Sequence, residues 1–173
     1  TTVVPAAAGL SEPAALAFDS SGSLYIGDSS RVQRLDAAGK LTVVAGGADE
    51  NLPQDNIPAT AAFLFRVSGL AFDKQNNLYI SDEGWSLVRR VDAATRMIRT
   101  VAGTLDVLDG TAALNAPLAY PIGIALDPGE GLYIADTGHH RIRHISAGTI
   151  RTLAETGKPA SSPSPVSRAM PMG

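Results

Sequence analysis

The sequence predicts an all-β chain built of β-propeller blades, and three observations carry that expectation. A Leu-Tyr-Ile-x-Asp block occurs three times, as Leu24–Asp28, Leu78–Asp82 and Leu132–Asp136. The aspartates ahead of these blocks, Asp19, Asp73 and Asp127, keep the same step of 54 residues. Each unit also carries four short apolar runs divided by turn residues. A repeat of roughly 50 residues made of four strands has the length of one propeller blade.

The first run reads Leu16-Ala17-Phe18, Leu70-Ala71-Phe72 or Ile124-Ala125-Leu126. Its central alanine suits the crowded strand nearest a propeller axis. The second is the Leu-Tyr-Ile block, whose consecutive apolar residues suit a strand covered on both faces by neighbouring blades. The third is Val32–Leu35, Val88–Val91 or Ile142–Ile145, and the fourth Leu41–Val44, Ile98–Val101 or Ile150–Leu153. Turn chemistry joins run one to run two at Asp19-Ser-Ser-Gly22, Asp73-Lys-Gln-Asn-Asn77 and Asp127-Pro-Gly-Glu-Gly131. Ala37-Ala38-Gly39 and Ser146-Ala147-Gly148 do the same for runs three and four. No apolar stripe at i, i+3, i+4 persists over ten residues, which excludes a helical reading.

The third unit is the most specific. Pro121-Ile-Gly-Ile-Ala-Leu-Asp127, followed by Leu132-Tyr-Ile-Ala-Asp-Thr-Gly-His-His-Arg-Ile-Arg143, resembles the repeat of the NHL family. Val43-Val44-Ala45-Gly46 and Thr100-Val101-Ala102-Gly103 are similar to its closing Thr-Val-Ala-Gly segment. The connectors Pro58–Ala62 and Asp109–Leu114 resemble the linker of bacterial members, and the likeness spans about residues 11–157. Unit one departs by lacking the His-Arg pair and the Thr-Gly turn. Unit two has Glu83-Gly84-Trp85-Ser86 there, and Val67-Ser68 in place of Pro-x. The resemblance implies a propeller of four-stranded antiparallel blades, a bacterial source and an extracellular or periplasmic location.

Composition narrows the function classes. A formal charge of −3 supplies no overall attraction to nucleic acid. The absence of cysteine excludes disulfides and thiolate chemistry. No run approaches the ~20 apolar residues of a membrane-spanning helix, so no membrane insertion is expected. No phosphate-cradling glycine loop, nucleophile–base pairing or calcium-loop spacing stands out, and no cofactor is expected. The connector acids Asp49, Glu50, Asp55, Asp106 and Asp109 read as solvated loop charges.

The organisation expected is an outer strand and connector at 1–10, blade one at 11–47, a connector at 48–66 and blade two at 67–103. A second connector follows at 104–120, blade three at 121–157, and a Pro/Ser-rich connector with the start of a further blade at 158–173. Thr1-Thr2-Val3-Val4 reads as a fourth run without its first three, and Ala169–Gly173 aligns with Ala119–Gly123. The chain is therefore read as a segment of a longer repeat array. Three blades are half of a six-bladed ring, which a homodimer would complete.

Strand alternation puts both long connectors and the turns between runs two and three on one face. That face gathers Arg66, Tyr120, Trp85, His139 and His140, with Arg66 and Tyr120 at the channel mouth just ahead of the innermost strands. These five are the candidate ligand- or partner-binding residues, because loops on a rigid scaffold concentrate binding groups. His139, His140 and His144 form no expected metal site: residues four apart in a strand lie about 13 Å apart. Asp28, Asp82 and Asp136 recur around the ring, so they cannot converge on one substrate; they and Asp19, Asp73 and Asp127 read as acceptors of local backbone N–H groups. Arg34, Arg90, Arg141 and Arg143 read as ion-pairing residues.

Two functions follow. The first is a non-enzymatic binding or scaffold module for a protein or small ligand, working through the connector face and channel mouth, as the resemblance implies for bacterial sensor propellers. The alternative is a fragment of a propeller enzyme, a metal-dependent lyase or hydrolase-like protein with chemistry in the central channel. The inner strands offer no catalytic side chains for it, and none is assigned.

Overall fold

The computed structural model describes residues 9–49, 53–103 and 113–155. The expected outer strand at 1–4, the connector acids Glu50, Asp106 and Asp109, and the segment from 156 onward lie outside the described residues. Three antiparallel sheets follow one another along the chain. The first joins β1 (Pro13–Phe18), β2 (Leu24–Asp28), β3 (Arg31–Leu35) and β4 (Leu41–Gly46) in that order. A two-residue strand, β5 (Ile57–Pro58), comes next, then β6 (Val67–Phe72), β7 (Leu78–Asp82), β8 (Leu87–Val91) and β9 (Met97–Ala102). The last sheet is β10 (Pro121–Leu126), β11 (Leu132–Asp136), β12 (Arg141–Ser146) and β13 (Thr149–Glu155). No helix of the described residues is long and apolar enough to cross a membrane.

The middle blade has five strands, because β5 pairs with β9 through Ile57↔Ile98 and Pro58↔Met97. The connector thus adds an outer edge strand to the blade it precedes. Proline ends the pairing, as an edge position allows.

The recurring turn between first and second strands has one chemistry in three sequences. The carboxylate of Asp19, Asp73 or Asp127 accepts backbone N–H groups two and four residues ahead, at 2.7–3.0 Å. The fourth turn residue is left-handed each time: Gly22 (φ 80°), Asn76 (φ 61°) and Glu130 (φ 65°). Glycine and asparagine adopt that geometry readily; Glu130 does so at some cost. Hydrogen bonds from Gly131 first, and from Gly129, hold the Asp127 carboxyl below its usual range. These aspartates are the local acceptors that the sequence predicts.

The blades stack face to face. Tyr25, Val32 and Ala45 of blade one meet Val67, Leu70, Leu78 and Ile80 of blade two in one buried cluster. Val88 and Ala102 of blade two meet Leu132, Ile134 and Ile150 of blade three in the next. Near the axis the first strands approach closely. The Ser68 hydroxyl donates to the Pro121 carbonyl at 2.9 Å, and a Cβ at Gly69 would stand 2.9 Å from the Ile122 carbonyl oxygen. Gly27 lies likewise under Val67, where a Cβ would come within 2.6 Å of a methyl. At the ends of the stack, Leu16 and Phe18 of blade one and Ile142 and Leu153 of blade three are exposed.

The three block tyrosines differ in burial. Tyr25 is buried and meets the edge of Phe72 at 4.7 Å between centroids. Tyr79 and Tyr133 are half-buried, against the expectation that all three are sealed. Tyr79 borders a groove between blades two and three, and Tyr133 faces the uncovered side of blade three against His144. Tyr25→Ala is expected to destabilise the protein by about 3–5 kcal/mol, as for other buried aromatic truncations. Tyr133→Ala should cost clearly less, and urea unfolding of both variants measures the difference.

Candidate functional site

The connector face is built on a buried carboxylate at the end of each second strand. Asp28, Asp82 and Asp136 are fully buried. Their backbone donors are distant in sequence, which corrects the expectation of local turn bonds. Asp28 accepts the N–H groups of Ser11 (2.7 Å) and Glu12 (2.6 Å), Asp82 that of Phe65 (2.8 Å), and Asp136 that of Ala119 (2.7 Å). Each carboxylate therefore pins the connector that leads into the first strand of its own blade. The turn after the second strand closes the same corner, with Gly84 N–H donating to the Phe65 carbonyl (2.7 Å) and Gly138 N–H to that of Ala119 (2.8 Å).

This corner brings the candidate residues together in two groups. In blade two, Arg66 stands beside the turn Glu83–Trp85, with its guanidinium 3.3 Å from the Glu83 carboxylate. In blade three, Tyr120 lies against the turn Thr137–His139: a Cβ on Gly138 would meet its ring at 2.9 Å. Arg66 (φ 68°), Tyr120 (φ 48°) and His140 (φ 54°) are all left-handed. For bulky residues this conformation is strained and persists only where the surroundings fix it. Tyr120 presents 61% of its surface to solvent.

The second oxygen of each carboxylate has a different partner in each blade. Asp136 receives Arg141 Nε at 2.7 Å and His139 Nδ1 at 3.0 Å. Asp28 has Gln33 Nε2 at 3.3 Å and Arg31 Nε at 3.5 Å. In blade two, Trp85 and Leu87 occupy the positions of His139 and Arg141, so Asp82 loses both polar partners. Its nearest cation is Arg89, at 3.9 Å. Burial is then the largest influence on Asp82 and pushes its pKa up to about 7, against the opposing Phe65 N–H and Arg89 charge.

Aromatic rings take the place of the polar corner. Trp85 meets Phe63 and Phe65 edge-on, each at 6.3 Å between centroids, and Phe63 and Phe65 stack at 6.4 Å. Phe65 is 54% exposed, so the cluster forms an aromatic platform beside Arg66. Sequence reasoning missed Phe63 and Phe65. The signal was a Phe-Leu-Phe run where unit three has Pro117-Leu118-Ala119.

Arg89 is fully buried and bonds the carboxylate of Asp55 at 2.9 Å. Asp55 also accepts the Thr100 N–H at 2.8 Å, so it is a structural anchor and not the solvated charge expected of it. Arg90 pairs with Asp92 at 3.5 Å, and Arg141 with Asp136 as above. Of the histidines, His139 is held by Asp136, and His144 lies over Tyr133 with centroids 4.5 Å apart. Among the described residues, no three His, Cys, Asp or Glu side chains are grouped to hold a metal ion.

The repeated blades and their close-packed first strands define a β-propeller segment. Residues 118–145 match the family model of the NHL repeat, so the third blade carries an NHL repeat. It is 34% identical to NHL repeat-containing protein 2 of Homo sapiens over 47% of its length and 12% of that protein. It is 29% identical to Teneurin-1 of Caenorhabditis elegans over 85% of its length and 6% of that protein. The chain thus spans a small fraction of both relatives. Among solved structures, a Bacteroides thetaiotaomicron protein of unknown function superposes with a TM-score of 0.66 at 27% identity, over 75% of this chain and 34% of that one. An auxiliary nutrient binding protein of the same organism gives 0.61 at 19% identity, over 76% and 36%. Virginiamycin B lyase from Staphylococcus aureus gives 0.56 at 18%, over 85% and 42%. The last two likenesses concern the fold alone.

The neutral form of Asp82 belongs to the folded state, since its ordinary value of 3.8 rises to about 7. Its contribution to stability is complete below pH 4 and is lost as pH rises to 7, on the order of a few kcal/mol. Asp82→Asn is expected to remove that loss, so the variant gains on the wild type between pH 4 and 8. Paired urea titrations at the two pH values measure the gain.

Proposed function

We propose that this propeller is a non-enzymatic recognition module that engages a protein or small ligand through its connector face. The observation that carries the reading is the aromatic platform of Phe63, the exposed Phe65 and Trp85 next to Arg66, with the exposed Tyr120 at the equivalent corner of the next blade. Large aromatic and arginine side chains on a scaffold that fixes their backbone are the usual anchors of binding surfaces. His139 and His140 extend the same face. The nutrient-binding protein of the same fold is consistent with this role. The alternative, chemistry in the central channel, draws only on the likeness to the lyase.

The test compares species captured by the wild-type chain with those captured by an Arg66→Ala/Tyr120→Ala variant of unchanged circular dichroism. The double variant is expected to lose the partner, while Lys40→Ala, on a turn of the opposite face, retains it. Equal losses from both faces would overturn the assignment.

We propose further that a second copy of the chain covers the two free blade faces and closes a six-bladed ring. The support is a match of pattern. Leu16, Phe18 and Ile26 of blade one repeat the residues Leu70, Phe72 and Ile80 that blade two packs against blade one. Tyr133, Ile142 and Ala154 of blade three repeat Tyr79, Val88 and Ala102, which face blade three. Two identical contacts related by a two-fold axis then satisfy both copies. Sedimentation equilibrium is expected to give a dimer of the 17.9 kDa chain; a monodisperse monomer at micromolar concentration would rule it out.

A further inference from the structure

A second recognition feature lies at the rim, between blades two and three. Blades two and three diverge outward and leave a groove of about 370 Å³, within the size range of small-ligand pockets. One wall is apolar, formed by Leu114, Leu132 and Ile145. The other carries Tyr79, Arg90 and Arg99. Arg90 and Arg99 are direct cross-strand partners on β8 and β9. Like charges placed opposite each other destabilise a sheet unless something lies between them. Arg90 is partly neutralised by Asp92, but among the described residues Arg99 has no carboxylate within ion-pair distance. Glu130 stands on the groove's lip.

The hydroxyl beside this pair is kept protonated. Burial, and then the negative charge of Asp73, raise the Tyr79 pKa above its ordinary value. Tyr79 can therefore act as a donor at any physiological pH. The neighbouring groove, between blades one and two, repeats the design at about 360 Å³. There Tyr25 and Arg34 stand at the equivalent positions, and Arg96 enters from the following blade.

We propose that the groove between blades two and three binds a small organic carboxylate, with its anionic end between Arg90, Arg99 and the Tyr79 hydroxyl. Guanidinium groups match carboxylates in shape and charge. The apolar wall opposite selects a ligand with a hydrophobic body over a bare anion. This site is independent of the connector-face reading, because it shares none of the residues Phe63, Phe65, Arg66, Trp85, Tyr120, His139 and His140.

Benzoate titrated into the isotopically labelled full chain tests it by amide chemical shifts. Saturable shifts are expected at Thr100, Leu114 and Gly148. Arg99→Met should weaken binding about tenfold or more, the loss of one charge-assisted contact. Tyr79→Phe, which removes only the hydroxyl, should weaken it severalfold, and Lys40→Met, on a turn of blade one, should leave it unchanged. Acetate should bind more weakly than benzoate. Absence of saturable shifts, unchanged affinity in Arg99→Met, or equal binding of acetate and benzoate would each overturn the proposal.

Discussion

The buried aspartate at the end of each second strand is the interaction on which the rest depends. A carboxylate taken wholly out of water is tolerable only if its oxygens are bonded. Here the bond it takes comes from the backbone of the connector, so its satisfaction also fixes where the first strand of its own blade begins. That strand packs against its neighbours at the axis, and the turn beyond the aspartate closes over the same connector. One side chain thereby sets the entry angle of the inner strand and the shape of the connector face. The same aspartate in three blades does this three times, with donors 16–17 residues upstream.

What varies is the company each carboxylate keeps. Blade three surrounds it with His139 and Arg141, blade one with Arg31 and Gln33. Blade two gives up polar cover for aromatic cover and leaves one oxygen of Asp82 without a hydrogen bond. The indole N–H of Trp85 is buried without a partner as well. Such groups cost stability, of the order of 1–3 kcal/mol each. The exposed apolar surface at Phe65 and the destabilised carboxylate beneath it are therefore two results of one local exchange. Stability is spent at the place where the repeat departs most from its own pattern.

The fold was legible because its signals are local and periodic. The Leu-Tyr-Ile blocks, the alanine-centred first runs and the Asp turns each act within a few residues, and their spacing fixes blade order. The clustering of Arg66 with Trp85, and of Tyr120 with His139 and His140, followed from strand alternation alone. Other features were not legible. A charged residue in a strand reads as exposed, so the burial of Arg89 was hidden. Its partner Asp55 sits 34 residues away on a connector that looks solvated. The extra strand Ile57–Pro58 is too short for periodicity to reveal. The aromatic platform depends on Phe63 and Phe65 meeting Trp85 across about 20 positions, which no local pattern encodes.

The close contact at Gly69 has a geometric consequence. The inner strands of blades two and three approach until a single methyl would collide with the Ile122 carbonyl, while their outer strands stay apart by a ligand-sized groove. The space between blades is consequently a wedge, closed at the hub and open toward the circumference. The taper sets the angle through which one blade turns from the next, and hence how many fill a full circle. A residue with no side chain thus acts on the curvature of the whole wheel.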